Sequence, residues 1–332
     1  MKRALLFCIA FACGPSQAVV TPDAAPATPG WKVVVEHLDG ALLSMWGSDA
    51  TNLYAVGGPR GNAGFKSLVM HFDGTAWNRL DPGGSETYWW VYGSSATDVW
   101  MVGEKGRITH WDGAAFKEHA SGTTATLFGV WASGPSDAWA VGGTPGAGKA
   151  SPNDILLHWD GSSWTPSAVP NPQGRTFFKV WGTAAGNVYV VGELATLWHR
   201  TGSTWAAETN PAHGTLLTIH GCSPTEMYAV GGRDVLKSDG KTWSALTPAL
   251  TNDVNGVSCR SPGEVVIVGA GGSKQRLVNG AWQDDFGTLP FSDLHGAWSL
   301  PNGADYWGVG GEFISGPQPN VSRQGVIARY GK

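Results

Sequence analysis

The chain is poor in charge. Asp, Glu, Lys and Arg make up 14% of its 332 residues, against about a quarter in an ordinary soluble domain. A net charge of −4 and a pI of 6.1 leave no basic surplus to neutralise phosphates, which argues against a nucleic-acid partner. Beyond the first dozen residues no stretch is apolar for eighteen positions, so nothing later in the chain is suited to span a bilayer as a helix. Two catalytic signatures are also missing. There is no His-Glu-x-x-His for a zinc protease and no Gly-x-Ser-x-Gly nucleophile elbow. The segment Gly143 to Lys149 nearly spells a phosphate-binding loop, but Ala150 stands where Ser or Thr would hold Mg²⁺ and no helix pattern follows. No cofactor and no metal are expected.

What is abundant is glycine (48) and tryptophan (18), with 20 prolines, a composition that favours many short strands joined by turns. The N-terminus reads as an export signal: Met1-Lys2-Arg3 is a basic lead, and Ala4 to Ala12 is an apolar run too short for a membrane span. Ala10-Phe11-Ala12-Cys13 resembles a bacterial lipobox, which would make residues 1–12 a lipoprotein signal and Cys13 the acylated N-terminus. Ser16-Gln17-Ala18 offers the alternative, ordinary cleavage before Val19 and a secreted or periplasmic protein. Residues 13–30, with four prolines among Ala and Thr, cannot bury a core and read as a tether. The expected contact with membrane is through the lipid alone.

From residue 31 to 332 one unit repeats seven times. A Val-Gly pair recurs at Val56, Val102, Val141, Val191, Val230, Val268 and Val309, and an acid or amide stands five residues before each glycine, from Asn52 to Asp305. The spacing averages about 42 residues, the length of a four-stranded propeller blade. Within a unit, strand a is expected to end at the Trp46-type aromatic, with the Asn52-type residue in the following turn. Strand b is the Leu53-to-Val56 type. An Asp-Gly hairpin then joins strand c to strand d at Asp73, Asp112, Asp160 and Asp239. The chain stops on a strand c, Val326 to Tyr330, while Trp31 to His37 opens like a strand d before any strand a. The expected fold is all-β, a seven-bladed propeller whose N-terminal strand completes the last blade and closes the ring.

Val-Gly-Gly after strand b (Gly57-Gly58, Gly142-Gly143, Gly231-Gly232, Gly310-Gly311) and a Trp opening strand d resemble kelch-type repeats. The Asp-Gly-x-x-Trp hairpins at Asp73, Asp160 and Asp239 resemble shortened Asp-box turns, one residue too short for the full motif. The whole is similar to Trp-rich repeat lipoproteins of myxobacteria and related soil bacteria. The resemblance implies a propeller and does not imply one activity.

Most conspicuous residues have a repeat explanation. Fifteen of the 18 tryptophans fall in regular strand slots and are expected to pack blades, leaving Trp89, Trp90 and Trp198. His71, His110, His158 and His199 share one slot in successive blades, too far apart for a common metal shell, and should bond locally. Trp90 and Lys179 break an otherwise small or neutral column two residues before the strand-a aromatic, and are candidates to line the axial funnel. The b-to-c insertions Pro59 to Lys66, Thr144 to Asp154 and Glu312 to Arg323 share a face with the d-to-a connections. That face is the expected ligand surface. Its candidates are Arg60, Asn62, Lys66, Lys149, Asn153, Asp154, Glu312 and Arg323, with Glu193 and Arg233 on shorter loops. Cys222 and Cys259 lie near the strand-a slots of adjacent blades and are expected to form a disulfide clamping blades five and six.

The favoured reading is a monomeric, non-catalytic binding propeller presenting this face to an extracellular protein or glycan. Two alternatives stay open: a multivalent repeat lectin, and a glycosidase or lyase with acids converging at the axial funnel.

Overall fold

A computed structural model describes residues 28–58, 67–147, 153–170, 173–312 and 324–331. They form seven four-stranded antiparallel sheets. Blade 1 is Ala41–Asp49, Asn52–Gly58, Leu68–Phe72 and Trp77–Leu80, strands a to d. The other inner strands are Tyr88–Ser95, Thr126–Gly134, Phe177–Ala184, Thr218–Ser223, Val254–Ser261 and Leu294–Trp298. Each packs beside the inner strand of the next blade, and blade 7 packs on blade 1, so the ring closes.

Closure runs through the chain's first strand. Gly30–Leu38 pairs antiparallel with Gly325–Gly331, from Gly30 opposite Gly331 to Leu38 opposite Gly325, and supplies strand d of blade 7. The edge that Gly325–Gly331 would otherwise present is thereby paired.

The Val-Gly column has a plain physical cause. All seven valines are fully buried within their blades, a burial worth about 1.5–3 kcal/mol each. The glycine that follows lies against the chain entering strand a. A methyl group on Gly57 would sit 2.0 Å from Ala41 O, and at the other six glycines the equivalent carbonyl would be 1.9–2.3 Å away. No side chain fits there.

Inner strands run further than expected, to Asp49 in blade 1, and the Asn52-type residue opens strand b instead of sitting in the turn. Its role is correspondingly different. In blades 1 to 4 it accepts from, or pairs with, the strand-c histidine: Asn52 with His71, Asp98 with His110, Asp137 with His158 and Asn187 with His199, all at 2.6–2.7 Å. Each imidazole also stacks on the strand-b aromatic, Tyr54, Trp100, Trp139 or Tyr189. In blades 5 to 7 the histidine slot holds Lys237, Arg276 and Arg329, which pair with Glu226, Asp285 and Asp305. The histidines thus serve their own blades.

The c-to-d aspartates behave as turn residues. Asp73 Oδ1, for example, accepts the backbone N–H groups of Thr75 and Ala76, and these bonds hold its carboxyl below the ordinary carboxylate range. Cys222 and Cys259 are joined in a disulfide with Cα atoms 5.3 Å apart, linking the inner strands of blades 5 and 6.

Candidate functional site

Two places on the molecule gather chemistry that the repeat does not explain. The first is the axis. In six blades the register of strand a against strand b skips one residue, a β-bulge at Leu43, Trp89, Phe128, Phe178, Asn255 or His295. Leu217 holds the same place in blade 5. A bulge re-aims a side chain, and here it turns bulky groups toward one another. Trp89 meets Phe128 edge-on at 4.8 Å, Phe128 meets Phe178 at 5.0 Å, and Trp89 reaches His295 of blade 7 at 6.0 Å, passing over blade 1. These side chains converge on the ring's axis.

Lys179 lies one residue below this layer and is 3% exposed. Its Nζ donates to Phe128 O of blade 3 at 2.7 Å and stands 4.0 Å from the centre of the Trp90 ring of blade 2. The two residues singled out in the sequence are therefore in direct contact across three blades. Gly129 lets this happen, since a methyl group there would be 2.9 Å from Lys179 Cα. Burial pushes the lysine's pKa down to about 7, with no carboxylate near enough to offset it. His295 Nδ1 donates to Leu43 O, 2.8 Å away, and burial, with Lys179 nearby, holds the ring neutral with a pKa of about 4.

The second place is the loop face. A cleft of 720 Å³ opens where the loop entering blade 7 (residues 289–293) meets the ends of strands b, c and d of that blade, at residues 311–312, 324–326 and 33–37. Leu289 and Phe291 on its wall are 55% and 59% exposed, two of three large apolar side chains more than half exposed among the described residues. Glu36, Asp293 and Glu312 add three carboxylates, and no Lys or Arg lines the cleft among the described residues. Lys274 holds the loop in shape. It is fully buried, and its ammonium donates to the carbonyls of Gly272, Thr288 and Pro290 at 2.6–3.0 Å. Burial lowers its pKa to about 8, which leaves it mostly charged at neutral pH. Clefts of 640 and 160 Å³ occupy the equivalent positions of blades 5 and 4.

The other loop-face candidates are distributed over different blades and are largely engaged. Glu193 accepts from Thr176 N and Gly146 N at 2.8 Å, tying two loops together. Asp154 accepts from Gly174 N and Arg175 N, and its neighbour Asn153 accepts from Thr144 N. Arg233 pairs with Asp253 at 2.9 Å beside the blade-5 cleft. Glu312 stands exposed at the mouth of the blade-7 cleft. Arg60, Asn62, Lys66, Lys149, Arg323 and Cys13 lie outside the described residues. Sequence reasoning missed Leu289, Phe291 and Lys274. The available signal was a loop carrying Leu-Pro-Phe where its counterparts are more polar.

Seven four-stranded sheets closed by an N-terminal strand define a seven-bladed β-propeller. Solved structures agree. YCF48 bound to D1 peptide superposes with a TM-score of 0.67 at 16% identity, over 93% of this chain and 99% of that one. YCF48 from Cyanidioschyzon merolae gives 0.63 at 15%, over 91% and 98%. The WD40 propeller domain of Doa1 gives 0.66 at 12%, over 90% and 97%. No family model matches the chain, and no curated protein matches it.

Proposed function

We propose that the protein is a non-catalytic binding propeller that docks an extended segment of a protein partner in the blade-7 cleft. One observation carries this: exposed Leu289 and Phe291 beside Glu36, Asp293 and Glu312, with His37 and no Lys or Arg among the described lining residues. Such a wall suits a segment that alternates apolar anchors with Lys or Arg. The YCF48 structure holding a D1 peptide supports the reading, because a propeller of this shape there carries a peptide. An active site of paired acids at the axis has less support, since neither the bulge column nor the Trp90–Lys179 column contains a carboxylate.

The kelch-like Val-Gly-Gly and Trp features, with the lipobox-like Ala10 to Cys13, place the protein in our reading among exported bacterial lipoproteins, tethered by residues 13–30. The partner is then extracytoplasmic. Cys13→Ser should move the protein from the membrane to the soluble fraction, and a mature N-terminus at Val19 would replace the anchor by secretion. A second reading is favoured by the recurrence of the cleft in blades 4, 5 and 7, which suits several copies of one ligand, such as a glycan, per chain.

Selection from a displayed library of random dodecapeptides separates these readings. Enrichment of sequences with Lys or Arg next to Leu, Ile or Phe is expected, with loss of binding by at least about tenfold in the Leu289→Glu/Phe291→Glu variant, an effect of about 1.4 kcal/mol. Enrichment of acidic sequences, or binding indifferent to the double variant, would count against the cleft.

A further inference from the structure

The axis of the ring holds a buried lysine with no carboxylate beside it. An ammonium carries three N–H donors; of those on Lys179 one has its acceptor in Phe128 O, and the Trp90 face lies at 4.0 Å. Neither column lining this region offers an acid. The bulge layer is Leu43, Trp89, Phe128, Phe178, Leu217, Asn255 and His295, and the layer below it adds Ser44, Thr218 and glycines to Trp90 and Lys179. A carbonyl and a ring face offset only part of the desolvation cost of burying an ammonium.

The surroundings select among anions. Aromatic faces from Trp89, Phe128 and Phe178 form the wall, and Trp89, Phe178, Asn255 and His295 keep part of their surface in solvent, so the approach is from the loop face. A strongly hydrated dianion would give up its water against apolar rings, whereas a single carboxylate on an apolar body would present its charge to Lys179 and its body to the wall. We propose that this axial mouth is a binding site for an apolar carboxylate, paired with Lys179 Nζ and packed within the Trp89–Phe128–Phe178 layer. The ligand is a small aromatic or aliphatic acid, or the C-terminal carboxylate of a chain ending in an apolar residue. The site is separate from the blade-7 cleft, and its failure would leave that reading untouched.

Calorimetric titration of the full-length protein with phenylacetate and with phenylacetamide tests the charge, since the two share a shape. The peptide Gly-Gly-Phe with a free terminus and its amidated form make the second arm. Saturable one-to-one binding of at least one acid is expected, weaker by at least about tenfold for its amide and in Lys179→Met. Binding of phenylacetate points to free acids, and binding of the peptide alone points to chain ends. Absence of saturable binding by both acids, equal affinity for acid and amide, or equal affinity in folded Lys179→Met would overturn the proposal. The amide comparison needs no variant, so it decides the matter even where Lys179→Met does not fold.

Discussion

At the residue scale, each inner strand is matched in size to the blade before it. The strand-a tryptophans of blades 1, 3, 4 and 7 (Trp46, Trp131, Trp181, Trp298) reach over the residue that follows the strand-a slot in the next blade, and in all four cases that residue is glycine: Gly93, Gly182, Gly221 and Gly47. Where the preceding side chain is smaller, the next blade has a side chain there. Tyr92 is followed across the interface by Ala132, His220 by Cys259 and Ser258 by Ser299. His220 accepts the Cys259 N–H at 3.0 Å, and Ser258 bonds Ser299 at 2.9 Å. A methyl group on Gly93 would lie 2.6 Å from Trp46 Cη2 and 2.7 Å from Asp98 O. Gly93→Ala should therefore cost about 1–3 kcal/mol. The same change in a Trp46→Tyr background copies the Tyr92–Ala132 pair and should cost clearly less. Denaturation of the four proteins in a double-mutant cycle measures the difference; an equal cost in both backgrounds would mean the glycine answers only to Asp98 O.

At the element scale, two devices hold strands that the chain does not join locally. Gly30–Leu38 closes blade 7, and the Cys222–Cys259 bridge ties blade 5 to blade 6 where neither strand-a slot holds a tryptophan. The bridge stands at the one interface with a small residue on one side and an imidazole on the other. Replacing both cysteines by serine should lower stability by ~2–4 kcal/mol, and reductant should lower the wild type by a similar amount while leaving the variant unchanged. Much of this architecture was legible in the sequence, because the buried valine, the carbonyl-contacting glycine and the Trp-opened strand d leave marks about 42 residues apart on average that survive changes of loop length. The axial layer was only half legible. Trp90 and Lys179 stood out in their column, but a bulge adds one residue to a period-2 strand, and alternation alone does not say which residue is the extra one. The cleft was hidden for a different reason: a Leu or Phe in a loop is exposed or covered according to what packs above it, which the local pattern does not contain.

At the scale of the whole molecule, the loop face carries one cleft position repeated around a rigid ring, and the copies differ in what they display. Blade 5 presents His213, Arg233 and Asp234, and blade 4 offers a smaller space beside Arg175 and Glu208. Blade 7 alone of these combines exposed apolar side chains with acids and has no Lys or Arg among its described lining. Lys274 gives its loop a fixed shape before any partner arrives, which reduces the ordering cost of binding. Lys274→Met leaves three carbonyls without their donor and should weaken peptide binding more than it lowers global stability, as paired titration and denaturation would show. The most direct measurement is hydrogen–deuterium exchange of the full chain with and without the peptide enriched from the dodecamer library. Protection confined to residues 286–293 and 33–38, with blades 2 to 5 unchanged, is the expected result. Protection centred on another blade, or spread evenly over several equivalent clefts, would contradict docking at blade 7.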